Sequence, residues 1–553
     1  MKIKSRYRLL PLLCCVLFLN QLDANANVRL PAIFGDHMVL QQDIKIPVWG
    51  WADPNEKITV SLGSNSAETV AGADGKWKIA LNPVDANSQP QTLTVKGNNT
   101  LTFSDVLVGD VWVASGQSNM EFGIQSVVES PETIAAANDK QLRMFFVPWT
   151  TSLTPLDDVA KVAADSPNGK WQVCSPEILG NPKWAWHGIT AVGYYFVKDL
   201  RQVTGKPVGL IATYKGGTPA QAWTSLPGLQ QDPPFTNYLE QHDKLAANYE
   251  TAKAAYPELQ AKFQAAMKEW NAANDKALAQ GTKPPQKPAS PPAPDGGYGA
   301  PANLYNALVA PIVPYAIKGV IWYQGESNSD RMEQAVEYNK LFPRMISDWR
   351  RNWDQGDFSF LFVQLANFKA PPKTPSEGNW PWTREAQLKT LSMPNTGMAV
   401  ISDIGNPKDI HPKDKLDVGK RLALVARHVT YGEKLVYYGP IYDSMTVEGN
   451  KIRLKFNHIG GGLIISVPPW TPDGSTPVKA EKLQGFGIAG EDQNFVWADA
   501  NIEGDSIVVS SPQVAKPVAV RYNWADSPIG NLYNKEGLPA SPFRTDDWPA
   551  PAK

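Results

Sequence analysis

The chain has 553 residues, too many for one ordinary domain of roughly 100–200 residues. Its 53 basic and 54 acidic side chains leave a net charge of −1, which argues against both the basic face of a nucleic-acid binder and a polyanionic tail. Hydrophobic residues make up 42% and charged residues only 19%, a balance that excludes a disordered chain and supplies a large core.

The first residues read as an export signal. Lys2, Lys4, Arg6 and Arg8 precede an apolar run from Leu9 to Leu19, and Ala24-Asn25-Ala26 is a small-x-small cleavage site. The run is too short to span a bilayer, and no later stretch reaches about 18 unbroken apolar residues, so no transmembrane helix is expected. Leu13 before Cys14 speaks against lipidation. A signal over 1–26 removes Cys14 and Cys15, which leaves a secreted or periplasmic protein with Cys174 alone and no internal disulfide. Nothing around Cys174 marks it as a nucleophile, so it reads as a plain structural cysteine.

Residues 27–105 read as a β domain. Lys57–Leu62 and Trp77–Leu81 alternate apolar and polar, and Asp53-Pro54-Asn55, Asp74-Gly75 and Gly97-Asn98-Asn99 supply the turns. A small antiparallel sandwich fits this pattern. From 106 to 431 the pattern becomes α/β. Val106–Ser115, Val208–Thr213, Gly319–Tyr323, Phe358–Leu365 and Met398–Ser402 are apolar runs of the kind a doubly covered parallel sheet needs. Ala191–Val203, Arg331–Trp353 and Val418–Thr430 are the intervening helices. An insertion at about 236–300 interrupts them. Its apolar residues from Tyr249 to Ala277 recur at helical spacing, and Pro257 inside it predicts a kink or two helices. A Pro-rich connection follows, from Lys283 to Pro294. Residues 432–553 return to β, with Lys451–Phe456, Asn494–Trp497 and Ser506–Ser510 among the strands.

Four loops after strands of the α/β region carry candidate chemistry, and such loops face the crevice of an open sheet. Gly116-Gln117-Ser118-Asn119 offers a serine whose own N–H can join an oxyanion hole. Lys215-Gly216-Gly217-Thr218 offers paired glycines that let backbone N–H groups approach a ligand. Trp322-Tyr323-Gln324-Gly325-Glu326-Ser327-Asn328 offers a side-chain amide at Gln324 and a carboxylate at Glu326. Asp409-Ile410-His411-Pro412 offers a base. The chain holds six histidines, and His411 alone follows a candidate strand with a carboxylate two residues earlier, His187 being the second choice. Asp409 can fix the His411 tautomer, and Asp403 is its rival. Neither a metal-ligand constellation nor a phosphate loop or dinucleotide fingerprint is present, so no metal or cofactor is expected. The 19 Trp serve packing first, and also suit sugars, which lay a C–H face on an aromatic plane.

In their order and spacing these blocks resemble the sialate O-acetylesterase group of the SGNH (GDSL-like) hydrolases. The likeness runs nearly full length: Leu30-Pro-Ala-Ile-Phe-Gly-Asp-His-Met-Val-Leu40, Gly116–Asn119, Lys215–Thr218 with Ala222-Trp223, Trp322–Glu326, Asp409–Pro412, Asn531-Leu-Tyr-Asn534 and Gly537-Leu-Pro539. The resemblance implies a flavodoxin-like three-layer α/β/α SGNH domain with flanking β-sandwich-like domains and a helical insertion. It implies Ser118 as nucleophile and His411 as base. The oxyanion donors it implies are the Ser118 N–H, a Gly216 or Gly217 N–H, and Gln324 where other SGNH enzymes use Asn. Asn119, Lys215, Trp223, Glu326 and Asn328 are then the substrate-binding candidates. The superfamily places its Asp three residues before the His. That position here is Lys408, so Asp409 and Asp403 both stay open. Tyr214-Lys215 stands where relatives often carry Trp before the paired glycines. The expected activity is removal of O-acetyl groups from sialic acid, xylan, xyloglucan or another carbohydrate, with no nucleic-acid partner and no membrane partner after signal removal. A lipase-like acyl hydrolase and a non-catalytic carbohydrate-binding protein are the alternatives.

Overall fold

The computed structural model describes residues 27–181, 188–468 and 480–551. The export signal and the alternative base His187 lie outside the described residues.

The chain opens with strands β1 (Val39–Gln41), β2 (Ile46–Trp51), β3 (Lys57–Leu62), β4 (Asn65–Val70), β5 (Lys76–Leu81) and β6 (Asn87–Lys96). β7 then runs unbroken from Thr100 to Gly116. Its first half pairs antiparallel with β6, and β1 joins it in parallel at Leu107–Gly109. Its second half is the centre of a mostly parallel sheet. The sheet continues through β8 (Asp139–Phe146), β9 (Trp171–Cys174), β10 (Val208–Tyr214), β11 (Gly319–Tyr323), β12 (Ser359–Val363) and β13 (Thr396–Ala399). The order is β13-β12-β11-β7-β10-β8-β9, with only β9 antiparallel to its neighbour. The expected change of pattern at residue 105/106 is therefore a bend within one strand. Asp105 takes φ +53° there, and its carboxylate is held by Arg143 (2.7 Å).

Side-chain alternation explains the apolar runs. Along β7, Val111 and Val113 enter one core and Trp112 and Ala114 the other; along β11, Val320 and Trp322 part from Ile321 and Tyr323 in the same way. The first core is closed by the helix Met332–Trp353 through Tyr338, Phe342, Met345 and Trp349. The second is closed by the helices Ala191–Thr204 and Leu416–Val429 through Phe196, Leu200, Leu422 and Val425. Each such large side chain contributes about 1.5–3 kcal/mol by leaving water. Thr190 caps the first of these two helices by accepting the Gly193 N–H, and Gly205 at φ +66° ends it.

The insertion differs from expectation. Thr236–Ala279 is one unbroken helix of 44 residues, with Pro257 inside it. Pro257 removes one N–H, and the carbonyl it deprives belongs to Lys253, an exposed residue, so water can complete that bond. The apolar seam is only half buried, and Trp270 donates its indole N–H to the Pro285 carbonyl (2.9 Å), which ties the Pro-rich return to the helix. A further helix, Asn379–Thr390, follows β12.

After the last of these helices the chain forms two four-stranded antiparallel sheets. One orders Ile441–Glu448, Lys451–Asn457, Ser506–Ser510 and Asp499–Glu503; the other Val496–Trp497, Phe486–Ala489, Ala519–Tyr522 and Phe543–Arg544. They share a core containing Ile452, Leu454, Ile507, Val509, Phe486 and Val520. No helix among the described residues is long and apolar enough to cross a membrane.

Candidate active site

Three neighbouring parallel strands deliver the site. Gly116 at the end of β7 is in register with Tyr214 of β10 on one side and Tyr323 of β11 on the other. Their loops therefore leave the sheet at one level. Gly116 takes φ +137°, and a Cβ there would clash with the Tyr323 backbone, so glycine is what lets the chain cross this closely. The next residues form a single turn, Ser118–Glu121. Ser118 is its first residue, a position whose N–H has no intrahelical acceptor.

Ser118, His411, Lys215, Gly216, Gly217 and Glu326 line one open cleft of about 620 Å³. The sequence blocks thus converge although they are separated by up to 293 residues of chain. His411 is partly buried, and its ring lies against Phe122 with centroids 6.3 Å apart. Burial, and then the nearby Lys415 cation, push its pKa below the ordinary imidazole value, while Asp409 pulls it up. Asp409 Oδ1 accepts the His411 backbone N–H at 2.9 Å and lies 3.6 Å from its Nδ1. Asp403 is committed elsewhere: Arg421 holds both its oxygens, at 2.6 and 2.8 Å, and the Tyr533 hydroxyl adds a third bond.

Four expected residues sit behind the cleft rather than in it. Gln324 is fully buried; its Nε2 donates to the Thr218 carbonyl (3.2 Å) and Asn328 Oδ1 (2.7 Å), and its Oε1 accepts from Tyr338 (2.9 Å). Its amide is spent on bracing two loops. Asn328 is buried as well and also takes the Ala220 N–H. Trp223 is fully buried, with its indole N–H on Thr218 Oγ1. Asn119 is a cross-brace. Its Nδ2 donates to Glu326 Oε1 (2.6 Å) and to the Ile410 carbonyl (3.0 Å), and its Oδ1 accepts from Lys415 Nζ (2.6 Å). It thereby ties the serine turn to the residue preceding His411. Lys215 and Glu326 do line the cleft. Burial raises the Glu326 pKa, and its Oε2 has no partner among the described residues.

Sequence reasoning missed Gln117, Glu121, Trp149 and Lys415. Gln117 lines the cleft, and its Oε1 accepts the Ser327 N–H (3.2 Å), which leaves Nε2 as the end available to a ligand. Glu121 lies one turn after Ser118 and accepts the Gly216 N–H; burial raises its pKa. Its i+3 spacing from Ser118 was a usable signal. Lys215 Nζ sits 3.5 Å over the Trp149 ring, a cation–π contact. Lys415 is fully buried, and burial pushes its pKa down to about 7. Cys174 is buried, and burial pushes its thiol up to about 11, which keeps it protonated and unreactive.

Comparison with known proteins bears on the chain as a whole. The profile of the family described as carbohydrate esterase, sialic acid-specific acetylesterase, matches residues 296–427. The chain is 27% identical over 562 aligned positions to the mouse sialate O-acetylesterase, covering 94% of each. It is 28% identical to the human sialate O-acetylesterase, covering 79% of this chain and 77% of that one. Among solved structures it is similar to a carbohydrate acetylesterase from Xanthomonas citri, at 38% identity and a TM-score of 0.73, covering 94% of this chain and all of that one. An α/β protein with a central mixed sheet, a serine and a histidine sharing one cleft, and this degree of likeness lead to one conclusion: the chain belongs to the sialate O-acetylesterase family of carbohydrate esterases and is a carboxylic ester hydrolase.

Proposed function

We propose that the protein is an exported serine esterase that removes O-acetyl groups from a carbohydrate through an acetyl-Ser118 intermediate. The observation that carries this reading is the meeting of Ser118, His411 and the Gly216–Gly217 backbone in one open cleft. In this reading His411 takes the Ser118 proton as Oγ attacks the acetyl carbon. The oxyanion rests on the Ser118 N–H, a Gly216 or Gly217 N–H, and the Nε2 of Gln117, which replaces Gln324 as the side-chain donor. Because Glu121 holds the Gly216 N–H, the substrate has to displace that carboxylate to use it. His411 then protonates the departing sugar hydroxyl. A water deprotonated by His411 attacks the acetyl-serine, and acetate leaves as Ser118 regains its proton. Asp409 orients His411 in this scheme. Lys215 and Glu326 face the sugar.

The sheet with helices on both faces supports an SGNH-type three-layer domain over 106–431, with the insertion at about 236–300. Residues 27–105 and 432–553 would be flanking β domains and 1–26 a cleaved signal, which places the mature protein in the periplasm or outside the cell. Acetate release from acetylated sialic acid, xylan and xyloglucan and from a chromogenic acetyl ester, by wild type and Ser118→Ala, tests the proposal. Release that disappears in the variant is expected. Undiminished release by Ser118→Ala would sink the serine mechanism, and glycan binding without any turnover would favour a binding protein.

A further inference from the structure

A second cavity, of about 280 Å³, lies in the later β region, away from the Ser118 cleft. Strand register builds it. Gly487 is the cross-strand partner of Trp497 on one side and of Arg521 on the other. Directly paired residues project from the same face of a sheet. The row Trp497–Gly487–Arg521 is therefore a trough, with a glycine as its low point between an indole ring and a guanidinium. A Cβ on Gly487 would meet Pro375 and Phe495 at 3.5 and 3.6 Å, ordinary contact distances, so these two side chains bound the trough beside its glycine.

The far wall is the loop after β12. Its position is fixed: the Trp497 Nε1–H donates to the Lys373 carbonyl (2.9 Å), the Trp524 Nε1–H to Glu377 (3.1 Å), and Arg521 to Glu377. Arg521 is the cavity's cation, and it is fully compensated. Asp546 binds it through two nitrogens at 2.8 and 3.0 Å, and Glu377 binds a third. The guanidinium also lies over the Phe495 ring at 4.4 Å. The trough thus offers a half-buried Trp497 ring, exposed amides at Gln493 and Asn494, and, among the described residues that line it, no uncompensated positive charge. An apolar plane beside a polar rim is what a sugar ring requires. A lining whose one cation among the described residues, Arg521, is already paired suits a neutral sugar better than an acidic one.

One wall of the trough is also tied to the Ser118 cleft by a hydrogen bond. Asn379 Nδ2 donates to the carbonyl of Asp330, which lines that cleft, and Asn379 is two residues from Glu377. The loop that walls the trough is thereby tied to the rim of the cleft.

We infer that the Trp497–Gly487–Arg521 trough is a second carbohydrate subsite, which holds a neutral sugar unit of a polysaccharide chain whose acetylated unit lies at Ser118. This rests on the proposed esterase reading for the identity of the chain, but the binding itself is independent of catalysis. The test is calorimetric titration of full-length wild type, Trp497→Ala, Trp497→Phe and Gly487→Val. The probes are xylan and xyloglucan oligosaccharides stripped of acetyl, with sialyllactose alongside. Kinetics on acetylated xylan, acetylated xyloglucan and 4-nitrophenyl acetate run in parallel.

A neutral oligosaccharide binds wild type. Trp497→Ala and Gly487→Val weaken it about three- to tenfold, the worth of one ring contact. Trp497→Phe keeps a ring while losing the bond to Lys373, and retains most of the affinity. The Ala and Val variants raise KM on the bound polymer by a similar factor and leave 4-nitrophenyl acetate turnover unchanged. Equal affinity in wild type and Trp497→Ala overturns the subsite, as does a wild type that binds neither neutral probe. Preference for sialyllactose overturns the neutral assignment. Loss of 4-nitrophenyl acetate turnover in wild type would count against the serine mechanism and leave the binding result standing.

Discussion

Lys415 Nζ donates to Asn119 Oδ1 at 2.6 Å, placing a fully buried cation behind the serine turn and beneath His411. The ammonium lies 5.0 Å from the Phe122 ring and 5.4 Å from that of Tyr323, and Glu326 is the carboxylate that most offsets it. Its charge disfavours a protonated His411, adding to burial; Asp409 opposes both. A base works only when neutral, so kcat/KM should rise along an acid limb whose midpoint lies below 6.5. Below that pH Lys415 is protonated, since its own pKa is about 7. In Lys415→Met the repulsion is gone, and the midpoint should move up toward the ordinary imidazole value. The pH profile of the chromogenic ester reaction checks this, and an unmoved midpoint would refute it.

Asp409 and Asp403 should separate by what each variant loses. Asp409 is half exposed and its carboxylate meets the His411 N–H and Nδ1, so Asp409→Asn should lower kcat at least about tenfold by loosening the imidazole tautomer. Its melting temperature should barely change. Asp403 is nearly fully buried in its pair with Arg421. Asp403→Asn strands that guanidinium and should cost about 3–5 kcal/mol of stability, while the folded fraction keeps near-normal activity. Melting curves and active-site-normalised rates on both variants decide the matter.

The contrast shows what a sequence can and cannot carry. The strands at 208, 319 and 506 and the helix at 191 were legible because a sheet buried on both faces and an amphipathic helix both leave a periodic trace. The helix Asn379–Thr390 left none: Trp380, Trp382, Arg384 and Gln387 are all buried, so polar and apolar residues alike face protein. The apolar run of β7 begins only at Val106 because Asp105 and the residues before it alternate with solvent, whereas its second half does not. Among site residues, Ser118 and His411 stand in motifs, and the cleft brings them together. Gln324 and Gln117 are indistinguishable as letters. The register of β11 against β7 sets them at one level, and only the partners each finds in the fold, Thr218, Asn328 and Tyr338 for Gln324 and the Ser327 N–H for Gln117, separate them.

That decision gives a third test. Gln117→Ala removes an amide that faces the cleft, and should lower kcat by about 10²–10³ with KM little changed, the usual loss for one oxyanion donor. Gln324→Ala should act mainly on stability. It orphans the Thr218 carbonyl and leaves the Tyr338 hydroxyl only a 3.5 Å contact to the residue-324 carbonyl, while Asn328 Oδ1 keeps the Ala220 N–H; a buried group left unpaired costs about 1–3 kcal/mol. Equal kcat losses in the two variants at equal stability would restore Gln324 to the oxyanion hole.

The paired glycines respond to different constraints, and alanine distinguishes them. At Gly216 a Cβ would lie 3.0 Å from Glu121 Oε2 and 3.3 Å from Ser118 Cβ. Its backbone is not in the left-handed region, so alanine there acts by contact alone, pushing on the serine turn. A nucleophile displaced by an ångström can lose about 10² in rate, so Gly216→Ala should cut kcat between about tenfold and a hundredfold and leave melting almost unchanged. Gly217 is the reverse. Nothing lies within 4 Å of a Cβ there, but φ is +72°, and alanine in that region costs about 1–2 kcal/mol. Gly217→Ala should lower stability by that amount, or relax the loop. In the proposed scheme a Gly216 or Gly217 N–H receives the oxyanion, so with Gly217 as that donor relaxation would appear as a kcat loss without the melting shift. Kinetics and melting on the two variants, compared side by side, separate steric displacement of Ser118 from strain in the loop.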